Sequence, residues 1–160
     1  MFTGLVEEIG KVFKLKRLGS GIEYSIKCEK VLKNLEVGDS ISVNGVCQTV
    51  TKFDENSFTV FAVEETLNKT TLKKLKINDI VNLETSLTLN KKIGGHLVYG
   101  HVDTVGKIIN INKSPNEILL TVEFDREFNK YVIHVGSIAI DGVSLTIAKL
   151  SDNSITVAII

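Results

Sequence analysis

A free thiol, a hydroxyl and two imidazoles are the groups in this chain with the chemistry to attack an electrophilic carbon or move a proton. Cys47 stands in Asn44-Gly45-Val46-Cys47-Gln48-Thr49-Val50. Ser144 stands in Asp141-Gly142-Val143-Ser144-Leu145-Thr146-Ile147, 97 residues later. A free cysteine is usually an inert small hydrophobe. Its thiol titrates near ~8.5, so a minor fraction is thiolate at neutral pH, and beside a base it can add to carbon. His96 and His101 lie in Gly94-Gly95-His96-Leu97-Val98-Tyr99-Gly100-His101-Val102-Asp103. An imidazole near ~6.5 suits proton transfer at neutral pH. The paired glycines let a backbone or a ligand come close. Five residues apart, the two histidines face opposite sides of one regular strand. No further ligands at zinc spacing accompany them, so no metal is expected. His134, near the end of a helix-like stretch, reads as a surface or capping residue.

Alternation along a strand sorts these groups by face. Val46, Gln48 and Val50 share one side, and Cys47, Thr49 and Thr51 the other. Val143, Leu145 and Ile147 oppose Ser144, Thr146 and Ala148 in the same way. Each copy thus shows a mostly apolar face and a row of small polar groups. Threonine on a solvent face needs only its β-propensity as a reason. The same small polar type at the same place twice favours a flat ligand wall, with hydroxyls and a thiol against the edge of a heterocycle.

The likeness of the two motifs extends along the chain. Gly4 matches Gly100, and Ile9-Gly10-Lys11-Val12 matches Val105-Gly106-Lys107-Ile108, at a spacing of 96. Ser40 matches Ser137, and Asn56-Ser57-Phe58-Thr59-Val60 matches Asn153-Ser154-Ile155-Thr156-Val157, at 97. An internal repeat of this register is a duplicated fold. Two related pockets suit a reaction between two similar molecules. Val63 answers to Ile160, so the residues after Val63 in copy one, through Glu84, have no partner in copy two.

The elements that must position these groups are short. Runs 5–15, 23–27, 40–43, 46–53, 57–63 and 80–84 read as strands of copy one. Runs 98–111, 117–124, 137–140, 143–150 and 154–160 read as strands of copy two. Asn44-Gly45 and Asp141-Gly142 are hairpin signals, because the turn wants positive φ at both central residues. Helix is confined to 29–35, 64–75 and 126–131. The expected fold is all-β: two tandem Greek-key six-stranded barrels, the second lacking its last strand, since closure removes exposed edges. The expected partition is 1–86 for the first barrel, 87–96 for a linker and 97–160 for the incomplete second barrel.

Composition excludes several classes. Nineteen basic and nineteen acidic residues give a formal charge of zero, against the net basic character of a broad nucleic-acid footprint. The lysines of 69–76 are interleaved with leucines and read as a solvated amphipathic turn. No apolar run reaches the ~18 residues of a membrane span. The start, Met1-Phe2-Thr3-Gly4, lacks a basic region followed by an apolar one, and the two cysteines form no disulfide framework. A reduced, cytoplasmic setting is expected.

Residues 1–7, 44–50, 94–103 and 140–146 together resemble riboflavin synthase of the α-chain type, which is built of two lumazine-binding repeats. The resemblance covers the whole chain. It implies two Greek-key barrels, a C-terminal helix that holds a homotrimer, and no cofactor or metal. It implies conversion of two molecules of 6,7-dimethyl-8-ribityllumazine into riboflavin and 5-amino-6-ribitylamino-pyrimidinedione, with one substrate on each barrel and the productive pair formed between neighbouring subunits. Catalytic roles fall by resemblance to His101, Cys47, Ser40 and Ser144. Substrate binding falls to Phe2, Thr3, Gly4, Val6, Thr49, Gly95, His96, Asp141 and Thr146. Phe2, Thr3, Ser40, Cys47 and Thr49 are grouped in a first site; His101, Ser144 and Thr146, with Asp141 and Gly95 close by, in a second. His101 is assigned as proton shuttle. Many members carry a lysine where this chain has Val135. The rival expectations are a non-catalytic lumazine- or flavin-binding protein and an inactive truncated form.

Overall fold

Hydrophobic alternation resolves into eleven strands in a computed structural model that describes residues 1–160. The first half supplies β1 (Glu8–Leu18), β2 (Gly21–Lys27), β3 (Ser40–Val43), β4 (Val46–Phe53), β5 (Ser57–Ala62) and β6 (Ile80–Thr85). They close into an antiparallel barrel in the order β1-β2-β5-β4-β3-β6. The second half supplies β7 (Lys107–Lys113), β8 (Ile118–Glu123), β9 (Ser137–Ile140), β10 (Val143–Leu150) and β11 (Ser154–Ile159). They form a five-stranded sheet in the order β7-β8-β11-β10-β9. That is the barrel's own order, with no strand in the position that β6 takes. Helix is limited to α1 (Glu64–Lys69) and short 3-10 segments at Val31–Asn34, Thr71–Lys74 and Arg126–Tyr131.

The duplication reaches fine detail. Asn44 and Gly45 take φ of 48° and 78°, and Asp141 and Gly142 take 46° and 83°, the left-handed pair a tight hairpin demands. A register shift between Val50 and Lys52 returns between Ile147 and Lys149. The shift between Val12 and Lys14 returns between Ile108 and Asn110. The Ser25–Thr59 hydroxyl pair returns as Thr121–Thr156, both at 3.0 Å.

Inward rows make the core. Val46 and Val50 meet Ile41, Val43, Phe58, Val60, Val81 and Leu83 inside the barrel, all buried. Each such side chain contributes about 1.5–3 kcal/mol relative to exposure. The second sheet buries only Val122, Ile147, Ile155 and Val157 fully. All of β7 is exposed, because nothing pairs with its outer edge.

The first strand of each copy begins later than its alternation suggests: β1 at Glu8 rather than residue 5, and β7 at Lys107 rather than 98. Gly100 breaks the second run, and Gly4 turns the chain just ahead of the first, with φ of 77° and 75°, a conformation glycine adopts without steric cost. The residues ahead of each break cross to the opposite half. Ser144 N donates to Gly4 O, and Cys47 N donates to Gly100 O, both at 2.8 Å. Between these crossings Phe2 and Val98 pair as an antiparallel bridge. The two hairpin turns meet as well: a Cβ on Gly45 would stand 2.7 Å from Gly142 N, and one on Gly142 would stand 2.8 Å from Gly45 N. The halves are therefore joined reciprocally, turn to turn and lead segment to opposite sheet.

Candidate functional site

Both polar rows lie on the outer faces of their sheets. On β4 the side chains alternate between buried Val46, Gln48 and Val50 and the more open Cys47, Thr49 and Thr51. Ser40 is paired with Thr49 across the sheet, and Ser42 with Cys47, so all four share a face. On β10 Ser144 is half-buried and Thr146 exposed, while Ile147 points into the core. Gln48 folds back so that its Nε2 donates to Cys47 O at 2.7 Å, which fixes the backbone at the thiol.

The crossed segments give the rows unlike covers. Over Cys47 lies Gly100, and a Cβ there would stand 2.7 Å from Cys47 Cβ. His101 follows it, exposed, with its ring 6.4 Å from that of Tyr99. Val102 packs against the barrel's core. Over Ser144 lie Gly4, Gly95 and His96. His96 Nδ1 is 2.7 Å from Ser144 Oγ, and His96 N donates to Thr3 O at 3.1 Å. Burial holds the His96 imidazole below its ordinary pKa of 6.5, so it is neutral at pH 7 and able to take a proton. Gly95 is demanded by crowding, since a Cβ there would stand 2.2 Å from Thr3 O and 2.8 Å from Ser144 Cβ.

Two cradles result. Ser40, Cys47 and Thr49 share the first, beneath Gly100, the residue next to His101. The second joins Ser144 and Thr146 with Gly4, Gly95 and His96. The expected grouping set His101 with Ser144; in the structure Gly100, the neighbour of His101, lies over Cys47. His96 is the histidine that reaches Ser144. Phe2 and Thr3, expected to line the first site, are fully buried. They act through backbone contacts: Phe2 on Val98, Thr3 on His96. Val6 is half-buried just beyond the crossing. Asp141 keeps an exposed edge in the turn that meets Gly45, and loss of water around its carboxyl raises that group's pKa. Its carbonyl accepts from Asn82 Nδ2 at 2.9 Å, tying the turn to β6.

Sequence reasoning missed Glu84. Its carboxylate is 2% exposed and accepts from Thr3 N, Thr3 Oγ1 and Gly4 N at 2.7, 2.7 and 2.9 Å. A glutamate closing an alternating strand was the available signal, but nothing local shows what a strand end faces. One cleft, lined in part by Glu8, Phe13, Lys27, Cys28 and Asp54, contains no candidate site residue, whereas another, bounded by Glu7, Asp39, Thr85 and Lys91, includes Ser40. Burial pushes the Cys28 thiol of the former up to about 12, far from a working thiolate. No three His, Cys, Asp or Glu side chains converge as metal ligands. No helix is long and apolar enough to cross a membrane.

Twin outward rows on a duplicated fold define a class, and comparison with known proteins agrees with it. The family model of the lumazine binding domain matches residues 3–86 and again 99–160. Over 160 residues the chain is 42% identical to riboflavin synthase of Actinobacillus pleuropneumoniae and 41% identical to that of Bacillus subtilis (strain 168). Each match covers 100% of this chain and 74% of the relative. Riboflavin synthase of Schizosaccharomyces pombe is 41% identical, with 100% of this chain and 78% of the relative covered. The chain belongs to the riboflavin synthase family. In fold it is similar to the crystal structure of LumP complexed with riboflavin, with a TM-score of 0.91 at 24% identity over 99% of this chain and 86% of that one.

Proposed function

We propose that this protein is a riboflavin synthase that dismutates two molecules of 6,7-dimethyl-8-ribityllumazine. One molecule gives up a four-carbon unit and leaves as 5-amino-6-ribitylamino-pyrimidinedione; the other gains it and becomes riboflavin. The unit moves between two copies of one compound, so no external oxidant or cofactor enters. The observation that carries the reading is the pair of matched outward rows with unlike covers: Cys47 beneath Gly100, next to His101, at one, and Ser144 with a hydrogen-bonded His96 at the other. Identical substrates must play opposite parts, so their cradles must differ.

The chemistry asked of the residues is modest. One lumazine loses a proton from its C7 methyl, and the resulting charge spreads into the pteridine. The other accepts a nucleophile at C7. His101 serves as the proton shuttle, with Cys47 or Ser40 supplying the nucleophile or holding water, and Ser144 and His96 orient the ring on the second cradle. Holding the partners in register supplies much of the acceleration. The same reading takes 1–86 and 97–160 as tandem barrel domains joined by 87–96, and a cytoplasmic homotrimer in which cradles of neighbouring subunits face each other. Mixing the protein with 6,7-dimethyl-8-ribityllumazine tests it: green riboflavin fluorescence grows as the lumazine is consumed. Tight binding without conversion would replace it with a binding-only function.

A further inference from the structure

We propose that Glu84, on β6 of the first barrel, is a positioning residue for the second cradle, acting through the Thr3–Gly4 peptide on His96 and Ser144. The proposal rests on the functional reading above.

Glu84 pairs with Ser42, which pairs with Cys47, so its side chain lies on the outer face of the barrel beneath the crossed segment. Taking an ionised carboxylate out of water is costly unless donors replace the lost hydration. Three donors do so, and all belong to two consecutive residues, Thr3 and Gly4. Lys91 Nζ stands 3.6 Å from Glu84 Oε1 and also pairs with Glu7. Closing a barrel needs no buried charge here; an apolar residue would cover the strand as well.

The geometry of one peptide unit shows what the charge achieves. Gly4 N and Thr3 O belong to the same trans peptide, so they point in opposite directions. Gly4 N aims at Glu84 Oε2, and Thr3 O therefore aims away, at His96 N. The next carbonyl, Gly4 O, accepts from Ser144 N. Fixing the peptide on one side thus fixes both His96 and Ser144 on the other. Gly95 leaves no slack, because Thr3 O occupies the space its Cβ would need.

The test uses the full chain with Glu84→Gln, Glu84→Ala and Thr3→Val, the last removing only the hydroxyl donor. Circular dichroism and thermal melting first establish that each variant is folded. Nitrogen-15 NMR of the His96 ring then reports the link directly, without any ligand. In Glu84→Ala the imidazole titration moves up toward its ordinary 6.5, because the ring loses its fixed, part-buried seat. Fluorescence titration with a ribityllumazine that lacks the C7 methyl, and so cannot react, gives the second readout. In Glu84→Ala the second cradle loses affinity by about tenfold or more, the scale of one charge-assisted hydrogen bond. The other cradle loses less, since the hydrogen bond from Cys47 N to Gly100 O involves neither Thr3 nor Gly4. Glu84→Gln, which keeps one acceptor oxygen, and Thr3→Val fall between. Folded variants with the wild-type His96 titration and both wild-type affinities would overturn the proposal. A wild-type protein that binds no lumazine would overturn the functional reading instead, and the NMR arm would still decide the role of Glu84.

Discussion

Adding one methyl group at Gly95 should disable the second cradle without unfolding the protein. The new Cβ would stand 2.2 Å from Thr3 O, where real contacts do not fall below 3.0 Å, so something must move by at least 0.8 Å. Thr3 is held by Glu84 and by complete burial, and cannot give way. Gly95 is exposed on its other side, so the 94–96 segment moves outward and takes His96 with it. The 2.7 Å contact between His96 Nδ1 and Ser144 Oγ is then lost. Misplacement of a positioned group by about 1 Å costs on the order of 100-fold in rate, or about 2.7 kcal/mol. The assay is riboflavin formation from 6,7-dimethyl-8-ribityllumazine by Gly95→Ala, beside its melting temperature. Gly94→Ala is the control, because its Cβ would meet only the Leu5 side chain, which is exposed and flexible. The expected pair is a large loss at Gly95 and a change within about threefold at Gly94. A Gly95→Ala protein with turnover within about twofold of wild type would refute the crowding argument.

Other consequences follow from the same geometry. Val135 holds φ of 62° at the place where Gly38, 97 residues earlier, holds 97°, and it is exposed. A β-branched residue is strained there, so Val135→Gly should stabilise by about 1 kcal/mol, net of glycine's own entropy, and raise Tm by about 2–4 °C. His96 titrates below its unfolded value, so the folded state binds fewer protons than the unfolded one just under pH 6.5. Stability should therefore rise with pH through that window, be complete above 6.5 and be lost on acidification; His96→Gln should remove that slope from denaturant titrations. Asp141 has the opposite sign: its raised carboxyl pKa makes stability fall as pH rises past the ordinary carboxylate range, and Asp141→Asn should flatten that fall. His101→Ala should lower turnover by about 100-fold or more while lumazine affinity stays within about threefold. Unchanged turnover would remove His101 as shuttle.

Strand identity was legible because alternation and hairpin dipeptides are local signals. β3, β4, β9 and β10 begin and end where the pattern of 40–53 and 137–150 places them. The outward row of Cys47 and Thr49 was equally readable, since a two-residue period fixes faces once one face is apolar. What the sequence hid were connections between distant segments. Gly100 sits inside a run that reads as continuous strand and Gly4 directly ahead of one, and only their positive φ shows that the chain turns away there. That turn decides which histidine meets which row, so His101 and His96 could not be allotted from spacing. Glu84 was invisible for a related reason: its three donors lie 80 and 81 residues away.

The central claim is that one chain carries two lumazine cradles of unlike chemistry on the outer faces of its repeats. Counting bound ligand tests it most directly. Thr49→Phe and Thr146→Phe each place a bulky ring on one exposed row, away from either core. Equilibrium dialysis with a ribityllumazine that lacks the C7 methyl, and so cannot be turned over, should find two equivalents on the wild-type chain, one on each single variant with differing affinity, and none on the double. A wild-type chain that holds a single equivalent, or single variants that lose nothing, would contradict it.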